Sequence, residues 1–237
     1  MAETTKDKQN KESKGNILVF CAHPDDEVLG VGSTIAKYAK EGYHITTVIF
    51  SYGESSHPWL QRKITVQTRV KESNSASSIL GCAETLFLGL KEGQFLKQLN
   101  QRKAAYRIKE LIKEKKPVKI FVHSIDDPHP DHKAMNKVIL HLVAKSGIRT
   151  EVYTFDIWNP LNIRNRNLPL LVVDVSETYR VKARALQKFK SQKIAMFILI
   201  PLVYTKALIN GFTHNLRFAD VFYRVEPKIM ENFNAVR

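Results

Sequence analysis

The sequence predicts an α/β fold: one domain built on a Rossmann-like, mostly parallel sheet flanked by helices. Three observations predict it. Six short, apolar, β-branched runs recur along the 237 residues, helix-period stretches separate them, and no internal repeat or Gly/Ser/Pro linker divides the chain. Alternation of this kind gives parallel strands joined by right-handed crossovers. An apolar content of 43% is enough for a sizeable core.

Residues 1–15, MAETTKDKQNKESKG, mix charges without an apolar centre. They predict a disordered tail and no signal peptide, which leaves 16–237 as the domain. The first strand is NILVFCA (16–22), close to continuously apolar, as a strand covered on both faces should be. A helix over 29–41 follows, with Leu29, Ile35, Tyr38 and Ala39 on one side, and then the strand HITTVIFS (44–51). Residues 62–80 carry Val66, Val70, Ser73, Ser77 and Leu80 at helical spacing and end at Gly81, a C-cap. ETLFLGL (84–90) is the third strand, 98–114 a helix, and VKIFVHS (118–124) the fourth strand. A helix over 132–145 presents Val138, Leu142 and Val143, and EVYTFDI (151–157) and LPLLVVDVS (168–176) close the set of strands. A further helix begins near Glu177, with Ser176 as N-cap. The run IAMFILIPLVY (Ile194–Tyr204) is too short to span a bilayer and is interrupted by Pro201. It is expected in the core or at a subunit interface, as in a homo-oligomer. The alternative is a lid or a membrane-contacting patch beside a lipid-like substrate.

Lys+Arg 37 against Asp+Glu 23 leaves a net charge of +14, which favours anionic partners such as phosphorylated sugars or lipid headgroups. Nucleic acid is not expected, because the densest basic run is KEKKPVK (113–119) and no aromatic residues interleave the lysines. Cys21 and Cys82 alone make no disulfide framework or zinc ribbon. That points to a reducing compartment, the cytoplasm, with peripheral contact at a membrane as an extension of the same expectation. His44, His57 and His141 read as ordinary surface or core residues.

In an open α/β sheet, ligands bind outside the carboxyl ends of the strands. Two strand ends here are crowded with ligand-type residues: LVFCAHPDDE and IFVHSIDDPHPDHKAM. A hydrolytic metal site needs three protein ligands, an open position and a base. His23 and Asp26 from the first cluster and His132 from the second make a two-histidine, one-carboxylate set. Asp25 is left over as the general base, and His129, one turn before His132, as a protonated donor to an oxyanion. Asp131 and Glu27 would fix imidazole tautomers or hold loop backbone. Pro24 and Pro130 are expected to delay helix until just after the ligands. Two other chemistries share these residue types. A non-haem Fe(II) oxygenase uses the same triad and the H-x-D spacing of His23-Pro24-Asp25, but on β-sandwich scaffolds. A phosphoester hydrolase would be expected to use two metals, and ligands for only one are evident.

AHPDDE (22–27), followed about a hundred residues later by HPDH (129–132), resembles the LmbE/PIG-L family of zinc-dependent N-deacetylases. RVKESNSASSILGCAETLFLGLKEG (69–93), VDVSETYRVKARALQKFKSQ (173–192) and FADVF (218–222) extend the resemblance over most of the chain. It implies one Zn²⁺ per chain on His23, Asp26 and His132, Asp25 as general base and His129 as the oxyanion-stabilising residue. It also implies an amide hydrolase for N-acetylated sugars or glycoconjugates containing N-acetylglucosamine. Arg69 falls near a position that contacts substrate in some members, although a pair with Glu72 one turn on reads equally well. Two departures stand out. Asp127 lies where some members carry a catalytic tyrosine, and 194–210 is unusually apolar where relatives build a substrate-side loop.

Overall fold

A computed structural model describes residues 13–56, 61–100, 103–159 and 169–226. Its centre is a seven-stranded sheet in the order β3-β2-β1-β4-β5-β7-β6. The strands are β1 (Asn16–Cys21), β2 (His44–Ile49), β3 (Glu84–Phe87), β4 (Lys119–His123), β5 (Glu151–Phe155), β6 (Leu170–Asp174) and β7 (Ala219–Arg224). The first five run parallel, as the continuously apolar runs predict. β7 was not anticipated. It lies antiparallel between β5 and β6 and makes the sheet mixed at that edge. Its stretch ADVFYR is short and interrupted by Asp220, whose carboxylate accepts a bond from Thr34 Oγ1 at 2.8 Å.

The helices are α1 (Asp26–Lys40), α2 (Arg62–Leu80), α3 (Phe95–Asn100), α4 (Lys103–Lys115), α5 (Pro130–Ser146), α6 (Tyr179–Leu186) and α7 (Lys193–Thr213). Alternate β1 side chains enter two cores. Ile17, Val19 and Cys21 pack with residues of α1, α2, α6 and α7, whereas Leu18, Phe20 and Ala22 pack with residues of α3, α4 and α5. The result is a three-layer α/β domain. Gly81 caps α2 in the left-handed conformation, φ 82°, as its position predicted.

Several boundaries differ from expectation, each for a local reason. The 98–114 stretch forms two helices, α3 and α4. α6 starts at Tyr179, because Ser176 Oγ is turned back onto Asp174 Oδ1 at 2.6 Å, and Thr178 takes the N-cap position. Residues 1–12, most of the expected tail, lie outside the described residues, but Lys14 N already donates to Gly42 O at 3.1 Å. His57 also lies outside them.

The apolar run 194–204 is the first half of α7, and only one side of it belongs to the core. Met196, Leu199, Val203, Ala207 and Gly211 form its buried face. The opposite face is exposed, with Ile194, Phe197 and Phe212 at 82%, 83% and 86% of their full accessibility.

Candidate metal and catalytic site

β1 and β4 are neighbours, but their chain connections leave in opposite directions, so the strand order reverses between them. A crevice opens at such a switch point, and both ligand-rich segments end there. The helices start earlier than the prolines suggested. Asp26 is the first residue of α1 and Pro130 the first of α5, a position where proline costs no hydrogen bond. The break before α1 falls on Asp25 instead, at φ 126°. A non-glycine residue there is strained, and it is held by three bonds: Asp25 N donates to Glu27 Oε2 at 2.9 Å, and Asp25 O accepts from Val28 N and Leu29 N.

Asp26 is buried at the centre. Its Oδ2 accepts from His23 N at 2.7 Å and lies 3.5 Å from both His23 Nδ1 and His132 Nε2. The far nitrogen of each ring meets a second carboxylate. His23 Nε2 lies 3.3 Å from Asp131 Oδ2, and His132 Nδ1 lies 3.0 Å from Asp127 Oδ1. Carboxylates placed behind imidazoles fix the tautomer and turn the other nitrogen inward, as around bound metals. Asp131 also accepts from Gly93 N at 2.9 Å, which ties the 91–94 loop to His23. Two overlapping donor sets, His23/His129/His132 and Asp26/His123/His132, each lie within 4.8 Å of one another.

The electrostatics fit a cation. Burial opposes the imidazolium at His23, but Asp131 and Asp26 outweigh it and raise its pKa to about 10. At His132 burial is likewise overcome by Asp26 and Asp127, and the pKa rises to about 9. Burial alone would raise Asp26, yet His132 and His123 hold it well below the usual carboxylate range. Without an ion, two protonated imidazoles balance the buried carboxylates. A divalent ion carries the same charge and would displace those protons.

Asp25 and Arg69 form the wall of the adjoining cleft, which has room for about 210 Å³ and is also lined by His23, His129, Trp158 and Leu199. Arg69 Nη2 donates to Asp25 Oδ2 at 3.0 Å and to Pro24 O. This is the pairing Arg69 makes; Glu72 instead accepts from Ser191 N and Oγ, at 2.8 and 2.6 Å. Gly53, at φ 71°, leaves room for the guanidinium, since a Cβ there would stand 2.7 Å from Arg69 Nε. Burial raises the Asp25 carboxyl despite the Arg69 charge beside it. Glu27, fully buried, accepts from Ser73 Oγ at 2.8 Å as well as from Asp25 N, and burial pushes its pKa to about 7.

His129 caps α5, and its Nδ1 accepts from Asp131 N at 3.2 Å. The proton of the neutral ring is therefore on Nε2. Burial and the neighbouring imidazoles lower its pKa, so any hydrogen bond it gives comes from the neutral ring and not from an imidazolium.

One residue, His123, escaped the sequence reading, and Asp127, noted there only as a departure from the family pattern, has a place in the site that was not read. His123, the last residue of β4, stacks on His132 with ring centres 3.7 Å apart and places Nε2 3.0 Å from Asp26 Oδ2. Burial and His132 lower its pKa to about 4, so the ring is neutral, and its Nε2 stands between Asp26 Oδ2 and Ala22 N at 3.3 Å. Asp127, fully buried, accepts from His129 N, Ile157 N and Trp158 N at 3.0, 2.8 and 3.2 Å, besides facing His132. The available signal was register. Val19 pairs with Phe121, so His123 sits two residues on, level with Cys21 at the end of β1, and its Nε2 accepts from Ala22 N at 3.3 Å.

The family model PIG-L: GlcNAc-PI de-N-acetylase matches residues 18–143, more than half of the chain. The chain is 28% identical over 176 residues to the uncharacterized deacetylase YaiS of Escherichia coli (strain K12), covering 74% of this chain and 90% of that protein. It is 29% identical over 157 residues to the 1D-myo-inositol 2-acetamido-2-deoxy-α-D-glucopyranoside deacetylase of Thermobifida fusca (strain YX), a match spanning 55% of this chain and about half, 54%, of the relative. Among solved structures, the N,N'-diacetylchitobiose deacetylase from Pyrococcus horikoshii superposes with a TM-score of 0.75 at 19% identity, covering 90% of this chain and 85% of that one. The 4-carboxy-2-hydroxymuconate hydratase GalB from Pseudomonas putida KT2440 superposes with a TM-score of 0.74 at 21% identity, covering 90% and 97%. These likenesses establish the shared fold. With the family match running from the second residue pair of β1 through most of α5, and so across both ligand-bearing strand ends, the chain belongs to the LmbE/PIG-L family.

Proposed function

We propose that this chain is a zinc-dependent N-deacetylase that hydrolyses the acetamide of an N-acetylglucosamine-containing substrate. The observation that carries the reading is the arrangement around Asp26: two imidazole nitrogens at 3.5 Å, each ring backed by its own carboxylate, beside a cleft walled by Asp25 and His129. His23, Asp26 and His132 would hold the ion, with Asp131 and Asp127 fixing the two rings. Zn²⁺ held there supplies Lewis acidity towards a carbonyl oxygen and towards water.

The chain's own residues account for the rest. Asp25, raised by burial and steadied by Arg69, takes a proton from the attacking water and returns it to the departing amine nitrogen. His129 Nε2–H donates to the oxygen that gains charge as the carbonyl is attacked. Among the described residues, Arg69 Nε and Nη1 have no hydrogen-bond partner behind the cleft wall, which leaves two donors for a sugar oxygen that reaches them. Glu27 holds the strained Asp25 peptide in place.

The test is release of a primary amine and acetate from a panel of N-acetylglucosamine derivatives by Zn²⁺-loaded protein, its loss on chelation, and its return on adding the metal back. Amine release distinguishes deacetylation from hydration, the reaction of the hydratase that shares this fold. Substrate turnover without amine, or amine release unaffected by chelation, would reject the reading.

A further inference from the structure

We propose that the outer face of α7 is a docking surface for anionic lipid bilayers, on which the helix lies in the plane of the headgroups. This goes beyond the proposed reaction and does not depend on it.

The argument starts from the pattern of burial. α7 is apolar almost all round, yet only Met196, Leu199, Val203, Ala207 and Gly211 reach the core. Ile194, Phe197, Ile198, Pro201, Leu202, Leu208, Ile209 and Phe212 follow one another along the opposite side, all of them exposed, with exposed Thr205 as the polar position between Leu202 and Leu208. That is an apolar stripe running from Ile194 to Phe212 and broken only at Thr205, not scattered surface leucines. Phe197 and Phe212 project furthest, at 83% and 86% exposed.

The charges around the stripe select the occupant. From Thr178 to Ala219 the chain contains no Asp or Glu, but eight Lys and Arg. Lys182 is buried and Lys206 partly so, whereas Arg180, Arg184, Lys188, Lys190, Lys193 and Arg217 are exposed. An apolar face with exposed Lys188, Lys190 and Lys193 at the start of its helix and Arg217 just past its end fits an anionic headgroup layer, with the chain's net charge of +14 adding to the attraction. It does not fit a second copy of the same face, because apposing two such helices brings like charges together at both ends.

Length and composition would also let α7 cross a membrane. Its attachment prevents that. The buried face belongs to the main hydrophobic core, and Gly211 lies against the backbone of Arg217 so closely that a Cβ would stand 2.7 Å from that carbonyl oxygen. Spanning would strip this face from the domain, whereas lying on the surface keeps it packed. Docking also sets the cleft beside the membrane, since Gln192, Ala195 and Leu199 at the start of α7 line it.

The test is co-sedimentation of the full chain with phosphatidylcholine vesicles, with and without phosphatidylglycerol. The expected result is binding to the anionic vesicles that weakens with added salt, and little binding to phosphatidylcholine alone. The double variant Phe197→Asp/Phe212→Asp should lower partitioning at least about tenfold, with melting temperature and light-scattering mass unchanged. Should that variant not fold, Phe197→Ala/Phe212→Ala serves with the same expected direction. A wild-type chain that stays in the supernatant with all vesicles overturns the proposal, as does a variant that binds as well as wild type. A wild-type dimer that the substitutions convert to monomer also overturns it, because the face is then covered by a second copy.

Discussion

Replacing Asp127 with Asn tests whether the buried carboxylate behind His132 is part of the site's construction. Asp127 Oδ1 faces His132 Nδ1 at 3.0 Å and accepts from His129 N at 3.0 Å, while Oδ2 accepts from Ile157 N at 2.8 Å and Trp158 N at 3.2 Å. All four contacts come from donors or from a ring nitrogen that must carry a proton. Asn has one oxygen and one NH₂, so either orientation turns an N–H towards two other N–H groups. Leaving buried donors unpaired costs about 1–3 kcal/mol, which for a domain of this size lowers the melting temperature by roughly 2–4 °C per kcal/mol. Freeing the His132 ring should weaken zinc by about 10–100-fold, equivalent to about 1.4–2.8 kcal/mol. Scanning fluorimetry of metal-free protein reads the first quantity and chelator competition the second. An Asn variant that melts with wild type and holds Zn²⁺ as tightly would refute the argument. A lower melting temperature with unchanged zinc affinity would assign Asp127 to the 156–158 loop alone.

The adjacent aspartates should separate. Asp26→Ala loses the metal by elemental analysis, while Asp25→Asn keeps it and loses at least about 10²-fold in turnover; equal metal loss in both would make Asp25 a ligand. His129→Ala is expected to cost about 10²–10³-fold in turnover at full metal content, the worth of one oxyanion donor. Gly30→Ala should destabilise the fold by about 1–3 kcal/mol in thermal melts. Its Cβ would stand 2.2 Å from Phe155 Cδ2, and Phe155 is buried against the His123 ring with centres 4.5 Å apart, so any retreat of Phe155 disturbs that contact.

The parallel half of the sheet was legible because strands buried on both faces leave continuous apolar runs, and β1, β2, β4 and β5 are such strands. β7 left no such run. It is inserted antiparallel near an edge, alternates in burial and carries Asp220 for a tertiary partner 186 residues away. The two strand ends could be read as a site because ligand-type residues are dense there. Orientation could not. In HSIDDPHPDH the sequence does not say that His123 and Asp127 are buried against His132, since that depends on how the loop after β4 folds back towards α5. The Arg69–Asp25 pair was hidden for a similar reason. The helical neighbour Glu72 is a local partner that pattern alone favours, whereas Asp25 reaches Arg69 only through packing of α2 against the start of α1.

The reversal of strand order between β1 and β4 also fixes a sequence of events. β1, β2 and β3 pair with one another through the first 87 residues, so that half of the sheet can assemble while His23 and Asp26 have no counterpart. His132 arrives only when β4 docks on the free side of β1, closing a loop that runs from Val19 to Phe121. In a chain synthesised at about 5–20 residues per second, the first pair of donors waits on the order of ten seconds for the third. The donor set proposed for the ion is therefore complete only after β4 has paired with β1 and α5 has followed it, and an N-terminal fragment ending before β4 would lack His132 however well its own strands have folded.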